Sequence, residues 1–234
     1  MTERNVVIAI DGPAASGKSS TAQWVARRLG FHHVDSGSLY RAATAAQLDR
    51  QAVVEADQWT EDMVLQAARR VTFVPAEGTF APLLDGAPCE AALRSVEVTK
   101  HVSRVAQMPR VRTWVNELVR RTAGARDVVV DGRDIGTVVF PDAELKVFLV
   151  ADPWERARRR LIQRLDRHPN EDEIAAETDA IVHRDAKDAT QTVQATDAIL
   201  IDTTYLTQEE QVERIVALAK AVTRRPDKTS AVDG

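Results

Sequence analysis

Cysteine is almost missing from this chain. Cys89 is the only one in 234 residues, which rules out an intramolecular disulfide and a cysteine-rich zinc site and fits a reducing compartment. A surplus of one charge is missing as well: 31 Lys and Arg stand against 35 Asp and Glu, a net −4, so no nucleic-acid-binding surface is expected. The one basic stretch, Arg156, Arg158, Arg159, Arg160, Arg164 and Arg167, is local and needs its own explanation. No apolar run approaches the length of a membrane span. Met1-Thr2-Glu3-Arg4-Asn5 leads into an apolar strand without a signal-peptide pattern. A cytoplasmic chain with no membrane contact is the expectation. Internal repeats, low-complexity tracts and interdomain linkers are lacking too. At 44% hydrophobic and 28% charged, the composition is that of an ordinary globular protein, one large domain or two small ones.

What is present starts near the N-terminus. The apolar run Val6-Val7-Ile8-Ala9-Ile10 leads through Asp11 into Gly12-Pro13-Ala14-Ala15-Ser16-Gly17-Lys18-Ser19-Ser20. Glycine, four residues, then glycine-lysine-serine is the phosphate-binding loop pattern. The run reads as a buried strand of a parallel sheet. Gly12 and Gly17 let the backbone turn where a side chain would collide. Successive N–H groups form a concave anion site, and a helix starting at about Lys18 turns its positive end to the phosphates. Lys18 supplies a mobile charge for the β and γ phosphates, and Ser19 a hydroxyl for Mg²⁺. The plain alternative is an ordinary strand-to-helix turn. A strand before and a helix after, with Trp24, Val25 and Leu29 on one face, favour the loop, so a nucleoside triphosphate is the expected ligand.

Residues 31–34 read as a second short strand, with Ser36 or Ser38 capping the next helix. Arg41, in that helix, faces the ligand end of the sheet or is simply solvated. Residues 42–70 are helical in pattern. Around 71–92 the character changes: Val71 and Phe73 alternate with Thr72, and Glu77-Gly78 and Asp85-Gly86 mark turns. This predicts a small antiparallel excursion outside the main sheet. Residues 96–122 return to a helical pattern, with Pro109 at a helix start or a break. Val128-Val129-Val130 is a buried strand whose end carries Asp131, Gly132, Arg133 and Asp134. Such an acidic strand end beside a phosphate loop helps hold magnesium; the alternative is a loop salt bridge. Residues 145–150 form a fourth strand, and Asp152-Pro153 starts a helix. Its Arg156, Arg159 and Arg160 share one face, as a solvated basic surface or as a mobile lid over triphosphate. A helix over 174–190, a strand over 198–202 and a last helix opened by a Thr207–Glu210 capping box complete the pattern. Residues 225–234 read as a disordered tail.

Five apolar strands separated by helices give a three-layer α/β/α fold on a parallel core sheet. The asparagine-lysine-x-aspartate motif of a GTP switch is absent, as are protein-kinase motifs. A small-molecule phosphotransferase remains. It must align two anions and exclude water. Arg41, Arg112, Arg133, Arg159 and Arg184 arrive from five segments, as that task requires. A kinase of any small acceptor, and an ATP-gated binding module without turnover, are the competing readings.

The segments 12–19, 35–41 and 131–143, Arg184-Asp185 with Asp188, and Asp197-Ala198 with 201–204 are together similar to the bacterial cytidylate kinases, in order from about 6 to about 220. The resemblance implies a P-loop kinase with a five-stranded parallel core sheet in a single nucleoside-monophosphate kinase domain, 1–224. Its core is about 1–40, 123–153 and 169–224. The monophosphate-binding region is about 41–122, with its β insert at about 71–92, and the short helical lid is about 154–168. It implies γ-phosphoryl transfer from ATP to CMP or dCMP, with Mg²⁺ at Ser19, in a cytoplasmic monomer. Ser36 and Arg41 would touch the acceptor phosphate, Ser103, Arg112 and Asp134 the cytosine edge, and Arg184 and Asp188 the acceptor's phosphate and sugar. Lys18, Arg133, Arg159 and Arg184 would be catalytic, Arg159 from the lid; arginine stabilisation of phosphoryl transfer is worth roughly 10³- to 10⁵-fold. One departure stands out. Where the family carries a further arginine three residues beyond Asp188, this chain has Gln191, which implies weaker grip on the acceptor phosphate.

Overall fold

The computed structural model describes residues 5–50, 55–124 and 126–223; the tail expected at 225–234 lies outside them. In chain order the elements are β1 (Val7–Asp11), α1 (Lys18–Leu29), β2 (His32–Asp35), α2 (Ser36–Leu48) and α3 (Glu61–Ala68). Then come β3 (Val71–Ala76), β4 (Thr79–Leu84), β5 (Ala87–Pro88), α4 (Glu90–Leu93), α5 (Val96–Ala106) and α6 (Pro109–Ala123). β6 (Val128–Gly132), β7 (Leu145–Val150), α7 (Pro153–Leu165), α8 (Glu171–Asp188), β8 (Ile199–Asp202) and α9 (Gln208–Thr223) follow.

The core sheet runs β2-β6-β1-β7-β8, all parallel. Its central strands are apolar at consecutive positions because both faces are covered. Val128 and Val130 face a cluster with Leu39, Val64, Val111, Val115 and Val119 from α2, α3 and α6. Val129, Ile8 and Ile10 face Val25, Leu149, Val212 and Ile215 on the side of α1 and α9. Each such buried valine or isoleucine contributes roughly 1.5–3 kcal/mol. On α1 the buried face is Ala22, Val25 and Ala26, whereas Trp24 is exposed and lies under the Arg27 guanidinium. Trp24 therefore does not share the buried stripe expected of it.

The insert is antiparallel, β3-β4-β5, with its second turn at Asp85-Gly86, both at positive φ. It does not stand apart from the main sheet as expected. β4 lies parallel beside β2 at the single pair His33–Thr79, where His33 N donates to Gly78 O at 3.0 Å. The stretch 42–70 is not one helix: α2 ends at Leu48, and Thr60 caps α3 by accepting from Met63 N. Residues 96–122 likewise divide into α5 and α6, with Pro109 in the first turn of α6, where its missing N–H costs nothing. Asp152 caps α7 ahead of Pro153, and Thr207 and Glu210 form the expected reciprocal pair. α7 and α8 pack as a hairpin through Ala157, Leu161, Ile174 and Ile181. Among the described residues no helix is long and apolar enough to cross a membrane.

Candidate active site

β1 lies between β6 and β7, where the chain connections diverge to opposite sides, and a crevice opens at the strand C-termini there. The loop after β1 is built by close approach. A Cβ on Gly12 would lie 2.3 Å from the Leu149 carbonyl oxygen, so the collision that requires glycine is with β7. Gly17, at φ 84, precedes α1 and gives it no side-chain cap. The first N–H groups of α1 therefore remain available to an anion. Lys18 Nζ folds back to Pro13 O at 3.0 Å. Ser16 Oγ is buried without a partner. Ser20 turns away, its hydroxyl donating to Gly17 O at 2.8 Å with Gln208 Oε1 also within reach at 3.1 Å.

Ser19 Oγ donates to Asp131 Oδ2 at 2.5 Å, and Asp131 Oδ1 lies 2.7 Å from His33 Nε2. Ser36 Oγ donates to Asp131 O at 2.8 Å. Gly132 must be glycine, since a Cβ there would meet that hydroxyl at 2.6 Å. Asp35, rather than Ser36 or Ser38, caps α2 by accepting from Ser38 N; its carboxylate reaches back across the first turn, which leaves Ser36 free for Asp131. Asp11 accepts from Ile135 N and Gly136 N, both at 2.8 Å, and so fixes the turn Ile135–Val139 that follows Asp134.

Facing the loop is an arginine-rich wall. Arg112 pairs with Asp134 and donates to Ala106 O at 3.0 Å. Arg133 Nη2 lies 3.5 Å and Arg184 Nε 3.7 Å from Asp188 Oδ2. Asp188 Oδ1, Arg133 Nε, Arg184 Nε and the Tyr40 hydroxyl are buried with no hydrogen-bond partner. Arg41 is held by Leu93 O and Thr99 Oγ1. Ala14, Ala15, Lys18, Ser19, Ser36, Arg41, Ser103, Arg112, Arg133, Asp134, Arg184 and Asp188, all expected from sequence, line one cleft of about 220 Å³. Gln191 lines it too. Buried polar atoms without partners are costly, and here they face a space that a polar ligand would fill.

The electrostatics agree with an anion site. Burial, then the Arg133 charge, lowers Lys18 to about 7 against the pull of Asp131 and Asp35. Burial, then Arg133, lowers Arg184 to about 10. Burial, then the Asp131 charge, raises Asp35 to about 6. Burial opposes the charged forms of His33 and Asp131, but their mutual contact outweighs it: His33 is raised and Asp131 lowered.

Arg159 is not brought into the cleft. Its Nη2 donates to Thr203 O at 2.6 Å and Thr204 O at 2.8 Å, beyond the end of β8. Its neighbours are ion-paired rather than free lid cations. Arg156 donates to Ala14 O and Asp185 Oδ2, Arg160 and Arg164 flank Glu177, and Arg158 and Arg167 pair with Glu155 and Glu173. The acids that neutralise the stretch come chiefly from α8, which sequence spacing within α7 could not reveal. Sequence reasoning also missed Asn116, which lines the cleft 8% exposed, one turn beyond Arg112 on α6. The signal was there in the i, i+4 spacing from Arg112.

A phosphate loop on this sheet, facing a cleft lined with buried guanidinium groups, defines a P-loop kinase fold. The family model "Cytidylate kinase" matches residues 8–221. The cytidylate kinase of Limosilactobacillus fermentum is 42% identical over 222 residues, covering 91% of this chain and 94% of that one. That of Desulfitobacterium hafniense is 42% identical over 219 residues, covering 92% and 93%. A crystal structure of an uncharacterized protein from Eubacterium ventriosum, 11% identical, shares the fold at a TM-score of 0.50 over 93% of this chain and 99% of that one. The chain belongs to the cytidylate kinase family.

Proposed function

We propose that the protein transfers the γ-phosphoryl group of ATP to CMP and dCMP, giving ADP with CDP or dCDP. The observation that carries this is the placement of the Arg112–Asp134 pair in the same cleft as the phosphate loop and Arg41, Arg133 and Arg184. Cytosine offers an amino donor, which suits the Asp134 carboxylate, and a carbonyl acceptor, which suits the Arg112 guanidinium. A base with the opposite pattern would leave both groups unpaired. An oxygen of the acceptor phosphate forms the new bond to the γ-phosphorus while the bond to the β,γ-bridging oxygen breaks, leaving the electron pair on ADP. The acceptor is already an anion, so no general base is required. Lys18, Arg133 and Arg184 neutralise charge along that line, Ser36 and Arg41 hold the acceptor phosphate, and Asp188 takes the sugar.

Ser19 and Asp131 would hold Mg²⁺. A hydroxyl and a carboxylate 2.5 Å apart are hard oxygen donors that suit this ion. Among the described residues no group of three or more His, Cys, Asp or Glu could cage a metal, as fits an ion that arrives with phosphates. When bound, Mg²⁺ supplies charge neutralisation between the donor phosphates. The lid is α7 and the turn after it, and the protein works as a cytoplasmic monomer.

Release of ADP by purified protein, measured with CMP, dCMP, UMP, AMP and GMP, tests the reading. CMP and dCMP are expected to stimulate it most. Lys18→Ala is expected to cost at least ~100-fold in turnover. Equal stimulation by AMP, or turnover unchanged in Lys18→Ala, would refute it.

A further inference from the structure

We propose that His33 is a positioning residue for the metal-holding pair of the donor site; this rests on the function proposed above. His33 sits in β2 and Asp131 in the neighbouring β6, where the register pairs His33 with Val129 and Asp35 with Asp131. The His33 side chain thus reaches Asp131 diagonally across one step of the sheet. Its Nε2 lies 2.7 Å from Oδ1, with the two side chains only 7% and 2% exposed. An ionised carboxylate only accepts, so Nε2 carries the proton, whatever the state of the other ring nitrogen.

The consequence is geometric. One oxygen of Asp131 is occupied by His33, and the other is left to Ser19 at 2.5 Å. The main chain at Asp131 is pinned independently by the Ser36 hydroxyl at 2.8 Å. Backbone and carboxylate are therefore fixed by separate partners, and His33 holds the first carboxylate oxygen so that the second faces Ser19. Hydrogen bonds that orient a ligating side chain from behind are worth 10- to 100-fold in metal affinity in other proteins. None of the residues implied by the family resemblance serves this purpose. An apolar side chain would fill the space of the imidazole, but with Asp131 kept it strands a buried carboxylate, so some loss of Tm is expected beside the metal effect. The other charges around His33 are Asp35, on its own strand, and Lys18, from α1, which faces Asp35 and Asp131. Neither takes the Nε2 proton.

The test compares His33→Leu, which removes the donor, with His33→Gln, which keeps an N–H at similar reach. Three quantities are measured: half-saturating Mg²⁺ in turnover, KM for ATP and CMP, and ATP affinity by calorimetry with Mg²⁺ and with EDTA. His33→Leu is expected to raise half-saturating Mg²⁺ about 10-fold. It should shrink the Mg²⁺-dependent gain in ATP affinity by a similar factor and leave the CMP KM within about twofold. His33→Gln should recover most of the loss. The proposal is overturned if His33→Leu leaves Mg²⁺ dependence unchanged, if it lowers Tm and shifts Mg²⁺, ATP and CMP parameters together, or if His33→Gln is no better. Should the wild type show no CMP-stimulated turnover, the functional reading fails, while the calorimetric comparison still decides the role of His33.

Discussion

Lys18 gives up its proton more readily than an ordinary lysine because burial disfavours its ammonium and the Arg133 charge repels it. Its value falls from 10.5 to about 7, so the folded protein binds fewer protons than the unfolded chain between those limits. Stability from this group therefore rises with pH across that window, and below 7 the cost of burying the ammonium is felt in full. Triphosphate reverses the situation by favouring the charged form. ATP binding at pH 8 is expected to take up to ~0.9 proton per site, read by calorimetry in buffers of different ionisation enthalpy. Lys18→Met should abolish the uptake; an unchanged uptake would assign it elsewhere. Gln191 poses the opposite case, a neutral group where a charge would help. It lines the cleft with Arg184 and Asp188, and its amide is a donor that brings the acceptor phosphate no positive charge. A cationic, bidentate donor gains about 1 kcal/mol more than a neutral one, so Gln191→Arg is expected to lower the CMP KM roughly fivefold with the ATP KM unchanged. No tightening would mean that the side chain does not reach the phosphate.

Elements were legible where one residue sets the local geometry. Pro153 after Asp152, Pro109 at the start of α6, and Asp85-Gly86 at a hairpin each act through their own φ or capping group, and all three lie where the sequence places them. Partnerships between elements were not legible. The arginines of α7 share a face, but nothing in their spacing tells that Glu177 and Asp185 of α8 will meet them. Arg156 shows what that pairing does for the site. Its guanidinium donates to Ala14 O at 2.9 Å and Asp185 Oδ2 at 2.6 Å, while Asp185 Oδ1 accepts from Ala14 N at 3.2 Å. The α7–α8 hairpin is thereby clamped onto the phosphate loop. Arg156→Met would keep the packing of the stem but strand a half-buried carboxylate, at a cost of about 2 kcal/mol. At roughly 2–4 °C per kcal/mol for a chain of this size, Tm is expected to fall by about 4–8 °C. The ATP KM should rise about 10-fold and the CMP KM far less. Equal changes in both would show that α7 supports the whole cleft rather than the loop.

At the scale of the molecule, the central parallel strands were readable because a strand covered on both faces is apolar at consecutive positions, as in Val128-Val129-Val130. The attachment of the insert was not, because it depends on one pair, His33 with Thr79, which leaves no periodic trace. The convergence of Arg41, Arg133 and Arg184 belongs to this scale as well. They come from α2, the end of β6 and α8, and only the assembled fold brings them together. Burial, then the Arg133 charge, already depresses Arg184 to about 10, with Arg41 adding to the effect. The folded state thus carries concentrated positive charge that Asp188 only partly offsets. A dianion placed there relieves repulsion that exists only in the folded protein, whereas a nucleoside without phosphate cannot. Ligand at 100 times its Kd adds about 2.7 kcal/mol to folding, which corresponds to a rise in Tm of about 5–10 °C. CMP is expected to produce that rise. Cytidine at the same concentration should give less than about 2 °C, because base contacts alone leave the guanidinium cluster uncompensated. The CMP effect should shrink at high salt, as screening softens both the repulsion and its relief. If cytidine matched CMP in thermal-shift measurements, the arginines would be ordering the fold and not the acceptor.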